Sequence, residues 1–197
     1  ADSGDNAKAL AAAKYTDVNT GDWFAEAVGS ATAKDLLQGN GKGAFLPLST
    51  TDRSALATVL YRLAGSPEAE SANFSDVADN AWYADAVNWA ASAGVVQGNN
   101  GAFYPTNALT REQAVVMFYN YAASLDLDVS GKADLSAYTD AADVSGYAAD
   151  AMAWAVEAGL VTGTGKGDTL SPKATATRAE LAALILRAAD LFATAEA

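Results

Sequence analysis

Three arginines carry the sharpest chemical signal in this chain. Arg53, Arg111 and Arg178 each follow a proline (Pro47, Pro105 or Pro172) by six residues, and each stands in the first turn of an expected helix. A cation is out of place there, because the positive end of the helix dipole penalises it by about 0.3–1 kcal/mol. Arg111 is also the sole positively charged residue between positions 74 and 121. A position that opposes its local field three times over asks for a compensating anion. One candidate is a neighbouring carboxylate, Asp17, Asp76 or Asp140, which would lock copy to copy. The other is a bound carboxylate or phosphate, held by a guanidinium fork beside free helix N–H groups.

An aromatic accompanies each arginine in the sequence pattern: Trp23, Trp82 or Tyr147, just ahead of an expected helix. Such a ring either fills the core or offers a flat platform to the apolar face of a sugar. Trp89 and Trp154 fall inside helices at core spacing and are assigned to packing. The Gly-rich stretches 39–43, 98–101 and 163–167 follow a helix, and no Gly-Lys-Ser/Thr opens the next one, so they do not read as nucleotide loops. Their glycines suit tight turns at positive φ. Carboxylate pairs such as Asp76/Asp79 and Asp140/Asp143 lie in turn-like segments where Asp bends the chain. The chain has no His and no Cys, which removes the commonest general base, the commonest metal ligand and every thiolate site. An enzyme is not expected, nor a metal or cofactor.

These residues recur because the chain states one pattern three times, at 15–63, 74–121 and 138–186. Each copy opens with an aromatic and Ser/Thr-Asp (Tyr15-Thr16-Asp17, Phe74-Ser75-Asp76, Tyr138-Thr139-Asp140) and reaches an apolar pair, a polar residue and Gly39, Gly98 or Gly163. The spacing predicts helix, loop, helix in every copy. The first helices are expected over 24–35, 83–93 and 148–158, with Gly94 and Gly159 as C-terminal caps and Asp35 in that place in the first copy. The second helices are expected over 56–63, 114–121 and 181–186, capped by Asp52 and by two capping boxes, Thr110 with Gln113 and Thr177 with Glu180. Residues 1–14 read as an acidic, Ala-rich extension or linker without a signal-peptide pattern, and the chain reads as a piece of a longer polypeptide. Residues 187–197 read as an extension of the last helix. The fold class is therefore all-α, three helix-loop-helix repeats forming one compact module, since each copy is too small to bury its own apolar face.

The 197 residues carry a net charge of −12, which argues against nucleic acid and against anionic lipid head groups. No apolar run approaches the roughly twenty residues needed for a membrane span, so membrane insertion is not expected.

The pattern resembles the S-layer homology domain: Phe/Tyr-x-Asp-Val, an aromatic before an Ala-rich helix, Gly-Val-Val-x-Gly, Phe-x-Pro and Thr-Arg-Ala-Glu. Thr177-Arg178-Ala179-Glu180 matches the family tetrapeptide fully, Thr110-Arg111-Glu112-Gln113 departs at two positions, and Asp52-Arg53-Ser54-Ala55 keeps the Arg alone. The resemblance implies an all-helical, pseudo-threefold, extracellular module at a bacterial cell surface, cell wall or S-layer, with lattice neighbours reached through a longer parent protein. It implies non-covalent anchoring to a secondary cell wall polysaccharide through pyruvylated N-acetylmannosamine, in grooves between repeats. It also implies as ligand contacts Arg53, Arg111, Arg178, Trp23, Trp82, Tyr147, Asp17, Asp76, Asp140, Gly39, Gly98 and Gly163. Among the copies, Trp82 and Arg111 are expected to outweigh Tyr147, which has a smaller ring and one extra residue before it. The alternatives are a module for self-association in a surface lattice and an acidic surface that binds cationically modified peptidoglycan.

Overall fold

A computed structural model describes residues 2–193 and contains seven α-helices, with no strand among the described residues. They are α1 (Ser3–Lys14), α2 (Ala25–Ala33), α3 (Arg53–Leu63), α4 (Ala84–Ser92), α5 (Arg111–Ser124), α6 (Ala149–Glu157) and α7 (Arg178–Ala193). The chain is all-α, as expected. The last helix does continue through residue 193, while residues 194–197 lie outside the described residues.

The first helix of each copy ends in one way. Asp35, Gly94 and Gly159 turn left-handed, with φ of 54°, 75° and 75°. In the latter two copies the amides of Gly94 and Gly159 donate to Ala91 and Val156, and those of Val95 and Leu160 reach back to Ala90 and Ala155. This is a Schellman closure, and glycine takes its turn without the cost a Cβ would add. The closure drops the apolar pairs Leu36-Leu37, Val95-Val96 and Leu160-Val161 into the core, where all six are buried.

The second helices start three residues earlier than periodicity alone suggests, because the cap sits ahead of the first apolar residue. Asp52 accepts from the Ala55 amide, Thr110 and Gln113 form the full box, and Thr177 accepts from the Glu180 amide. The Glu180 side chain does not complete the third box; it turns to Arg111 instead.

The stretch 1–14, expected as an extension, is largely the helix α1, packed on α2. A Cβ at Gly29 would collide with the Ala7 backbone, so the two helices meet at backbone contact, and Ala11 is fully buried. The sequence hides this partnership because Ala-rich α1 has no apolar stripe to announce a buried face.

The copies are joined by backbone hydrogen bonds that run around all three. Arg53 and Ser54 amides at the start of α3 donate to Asn107 and Pro105. Arg111 and Glu112 at the start of α5 donate to Ala174 and Pro172, and Arg178 and Ala179 at the start of α7 donate to Ser49 and Pro47. Each second helix thus uses the proline loop of the next copy to satisfy amides that its own first turn leaves free.

Candidate functional site

Each proline loop is braced from within its own copy by an aspartate. Asp17 accepts from the amides of Phe45 and Leu46, both at 2.8 Å. Asp76 accepts from Phe103 and Tyr104 at 2.8 and 2.7 Å, and Asp140 from Leu170 and Ser171 at 2.8 Å. The second residue of each pair is left-handed without being glycine: Leu46 at φ 61°, Tyr104 at 59°, Ser171 at 49°. Two charge-assisted bonds per carboxylate offset that strain. Burial pushes the Asp76 and Asp140 carboxyls up; the paired amides and a nearby arginine, Arg53 or Arg111, outweigh it and hold both below the usual range.

The braced loops present one carbonyl each to the arginine of a neighbouring copy. Arg53 Nε donates to the Phe103 carbonyl at 3.0 Å, Arg111 Nε to Leu170 at 3.1 Å, and Arg178 Nε to Phe45 at 2.8 Å. Arg53 and Arg178 also lie over the Phe103 and Phe45 rings, 4.7 and 4.6 Å from the centroids. This answers how a cation is tolerated in a first helical turn: a carbonyl and a ring face receive Arg53 and Arg178, and a carbonyl and the Glu180 carboxylate receive Arg111. Direct Arg–Asp ion pairs, one of the two sequence readings, do not occur among the described residues. Asp and Arg meet through the loop between them, and the ion pair that does form joins Arg111 to Glu180. Burial pulls the Arg53 and Arg178 guanidiniums down, partly offset by Tyr147 and Asp76 for the first and by Tyr15 and Asp17 for the second.

The aromatics ahead of the first helices are on the surface. Trp23 is 66% exposed, Trp82 68% and Tyr147 63%, whereas Trp89 and Trp154 are core residues at 6% and 5%. Edge-on contacts with Phe24 and Tyr83 steady the two indoles at 5.4 and 5.3 Å between centroids. Tyr147 is steadied differently: its hydroxyl donates to Glu112 Oε1 at 3.3 Å. Gly39 and Gly98 leave room rather than supply a special φ, since a Cβ there would run into Tyr15 or Phe74. Gly163 stands equally close to the Gly167 backbone.

Two clefts gather these residues, and each draws on all three copies. One of about 460 Å³ places Trp23 of the first copy and Arg111 of the second against Thr162–Gly165, Glu180 and Arg187 of the third. The other, about 420 Å³, places Tyr147 of the third copy and Arg53 of the first against Gln97, Gln113 and Asn120 of the second. The copies are interleaved in space: Arg111 of the second copy shares its cleft with Trp23 of the first. Arg178 spends Nε on Phe45 and Nη2 on the Gln38 carbonyl at 2.5 Å.

Several residues that tie the copies together or line the clefts escaped the sequence reading. Arg62, Asn120 and Arg187 stand nine residues after the three arginines, and each donates to the first carbonyl of the apolar pair, Leu36, Val95 or Leu160, at 3.2, 3.0 and 3.3 Å. That spacing was legible. Glu112 was not: it is 2% exposed and takes bonds from Ser145, Tyr147 and Lys173, a cluster made from the second and third copies. Among the described residues no group of acidic side chains is arranged to hold a metal ion, and no helix is long and apolar enough to cross a membrane.

Comparison with known proteins matches residues 14–57, 73–115 and 137–182, more than half of the chain, to the S-layer homology domain. The chain is 32% identical over 180 residues to the surface-layer 125 kDa protein of Lysinibacillus sphaericus, covering 89% of this chain and 15% of that one. It is 27% identical over 188 residues to the S-layer protein sap of Bacillus anthracis, covering 94% of this chain and 22% of that one. An amylopullulanase of Thermoanaerobacterium thermosulfurigenes is 27% identical over 164 residues, 83% of this chain and 9% of the relative. The chain thus spans less than a quarter of each of these relatives, and the match to the amylopullulanase transfers no catalytic identity to it. Three tandem matches decide the family: the chain belongs to the S-layer homology domains, modules of the cell surface that anchor to the cell wall.

Proposed function

We propose that this chain anchors a longer surface protein non-covalently by binding a secondary cell wall polysaccharide through its pyruvylated N-acetylmannosamine. The observation that carries this reading is the composition of the two clefts, each with an exposed aromatic and a guanidinium from different copies. A pyranose has an apolar face that stacks on Trp23 or Tyr147, hydroxyls and an acetamide suited to Gln97, Gln113, Asn120 or the Thr162–Gly165 backbone, and a ketal carboxylate that a guanidinium receives. The aspartates and Gly39, Gly98 and Gly163 contribute by shaping the loops, since the aspartate oxygens are engaged by backbone amides. The hydrogen bonds that run from copy to copy favour a pseudo-threefold module with the ligand between repeats. Co-sedimentation with cell-wall sacculi tests the reading. Binding is expected to sacculi that carry pyruvylated polymer and to be lost when the pyruvate is removed chemically; equal binding to both preparations refutes it.

A further inference from the structure

The two clefts differ in what surrounds the arginine that opens the second helix. In the Tyr147 cleft, Arg53 spends Nε on the Phe103 carbonyl and forms no ion pair among the described residues. In the Trp23 cleft, Arg111 spends Nε on the Leu170 carbonyl and Nη1 on Glu180 Oε2 at 3.0 Å, and its side chain is only 12% exposed. The residue matching Glu180 in the other cleft is Gln113, neutral and engaged with its Thr110 cap. A ligand carboxylate approaching Arg111 therefore meets a carboxylate of like charge already seated on it.

A second guanidinium lines the same cleft. Arg187 is exposed on α7, and its one bond, from Nη1 to the Leu160 carbonyl, is long at 3.3 Å. Its other N–H groups have no protein partner among the described residues. Burial and the neighbouring Arg111 charge both pull the Arg187 guanidinium down, so the two cations feel each other across the cleft and an added anion relieves them.

We propose that in the Trp23 cleft the carboxylate of a ligand is received by Arg187, while Arg111 stays on Glu180, and that in the Tyr147 cleft it is received by Arg53. The assignment rests on the acidic wall sugar proposed above. It makes the clefts chemically unequal, with Glu180 and Arg187 setting acid recognition in one and Arg53 alone in the other. The matching position in the Tyr147 cleft, Asn120, supplies a control: it makes the same carbonyl bond, to Val95, at 3.0 Å without a charge. Arg187→Asn is thus expected to keep the backbone bond and delete the cation.

The test follows the indole N–H resonance of Trp23, which reports its own cleft, during titration with the methyl glycoside of pyruvate-ketal N-acetylmannosamine and, separately, with its carboxyl methyl ester. The acid is expected to bind the wild-type chain more tightly than the ester. Arg187→Asn should cut that preference by about ten- to a hundredfold, the worth of a charge-assisted bond. Arg111→Gln should cut it far less. Glu180→Gln, which frees Arg111, should tighten acid binding. A preference that survives Arg187→Asn, or vanishes with Arg111→Gln, overturns the arginine assignment while leaving the wall-sugar reading intact. Wild-type chain that binds neither compound at any cleft overturns the wall-sugar reading and this assignment with it.

Discussion

At the scale of single residues, exposure separates aromatics that hold the fold from aromatics available to a ligand. Trp89 is 6% exposed and packs on Tyr61 and Tyr121 at 6.0 and 5.8 Å, while Trp23 is 66% exposed. Trp89→Ala is expected to cost about 3–5 kcal/mol of stability. Trp23→Ala should leave the melting temperature nearly unchanged and weaken sugar binding. Thermal unfolding followed by titration checks both, and a large loss of stability in Trp23→Ala would mean that its ring is structural. The arginines were legible in the sequence because their position opposes a local field, a property of each residue alone. Their neighbours were not, because Arg111 meets Trp23 and Glu180 across 88 and 69 positions of chain, and no local pattern encodes that pairing. Glu180 was further disguised by standing where a capping box expects it.

At the scale of elements, the aspartate-braced loop is what makes a cleft, since it fixes the carbonyl that orients each arginine. Asp76, Asp140 and Glu112 are all held below the usual carboxylate range, Glu112 because Lys173 and Ser145 outweigh the upward push of burial. Their charged forms are therefore favoured by the fold. The stability they contribute is complete above the unfolded carboxylate pKa of about 4 and is lost as the pH falls from there through the lowered folded values. Melting temperature should thus drop on acidification from about pH 5 to about pH 3. Asp76→Asn should lower it at neutral pH and make the acid limb shallower. An acid limb as steep in Asp76→Asn as in the wild type would show that Asp76 does not contribute to the acid sensitivity. The sequence marked these aspartates by their repeated Ser/Thr-Asp setting but read them as bending their own turns, whereas the Asp76 and Asp140 carboxylates brace loops 27 to 31 positions further along the chain. It missed α1, because helix approach at Gly29 is a contact between backbones and leaves no periodic trace.

At the scale of the whole molecule, each copy completes its neighbour: the first turn of every second helix ends on another copy's proline loop, and each cleft takes its aromatic, its arginine and its polar wall from three different copies. The all-α class and the repeat number were readable from periodicity and turn chemistry. The exchange between copies was not, since identical patterns do not say which copy pairs with which. Binding as proposed is accordingly a property of the assembled module, and of the arginines that open the second helices and line the two clefts, Arg53 in the Tyr147 cleft is the one without an ion pair among the described residues. Calorimetric titration of the intact chain and of Arg53→Ala with the pyruvate-ketal N-acetylmannosamine glycoside tests this most directly. Saturable binding is expected in the wild type, and in Arg53→Ala a loss of about 1.5–3 kcal/mol at the Tyr147 cleft, with a modest fall in melting temperature from the lost Phe103 contacts and cooperative unfolding retained. An unchanged titration in Arg53→Ala, or equal affinity for the sugar without its ketal acid, would contradict it.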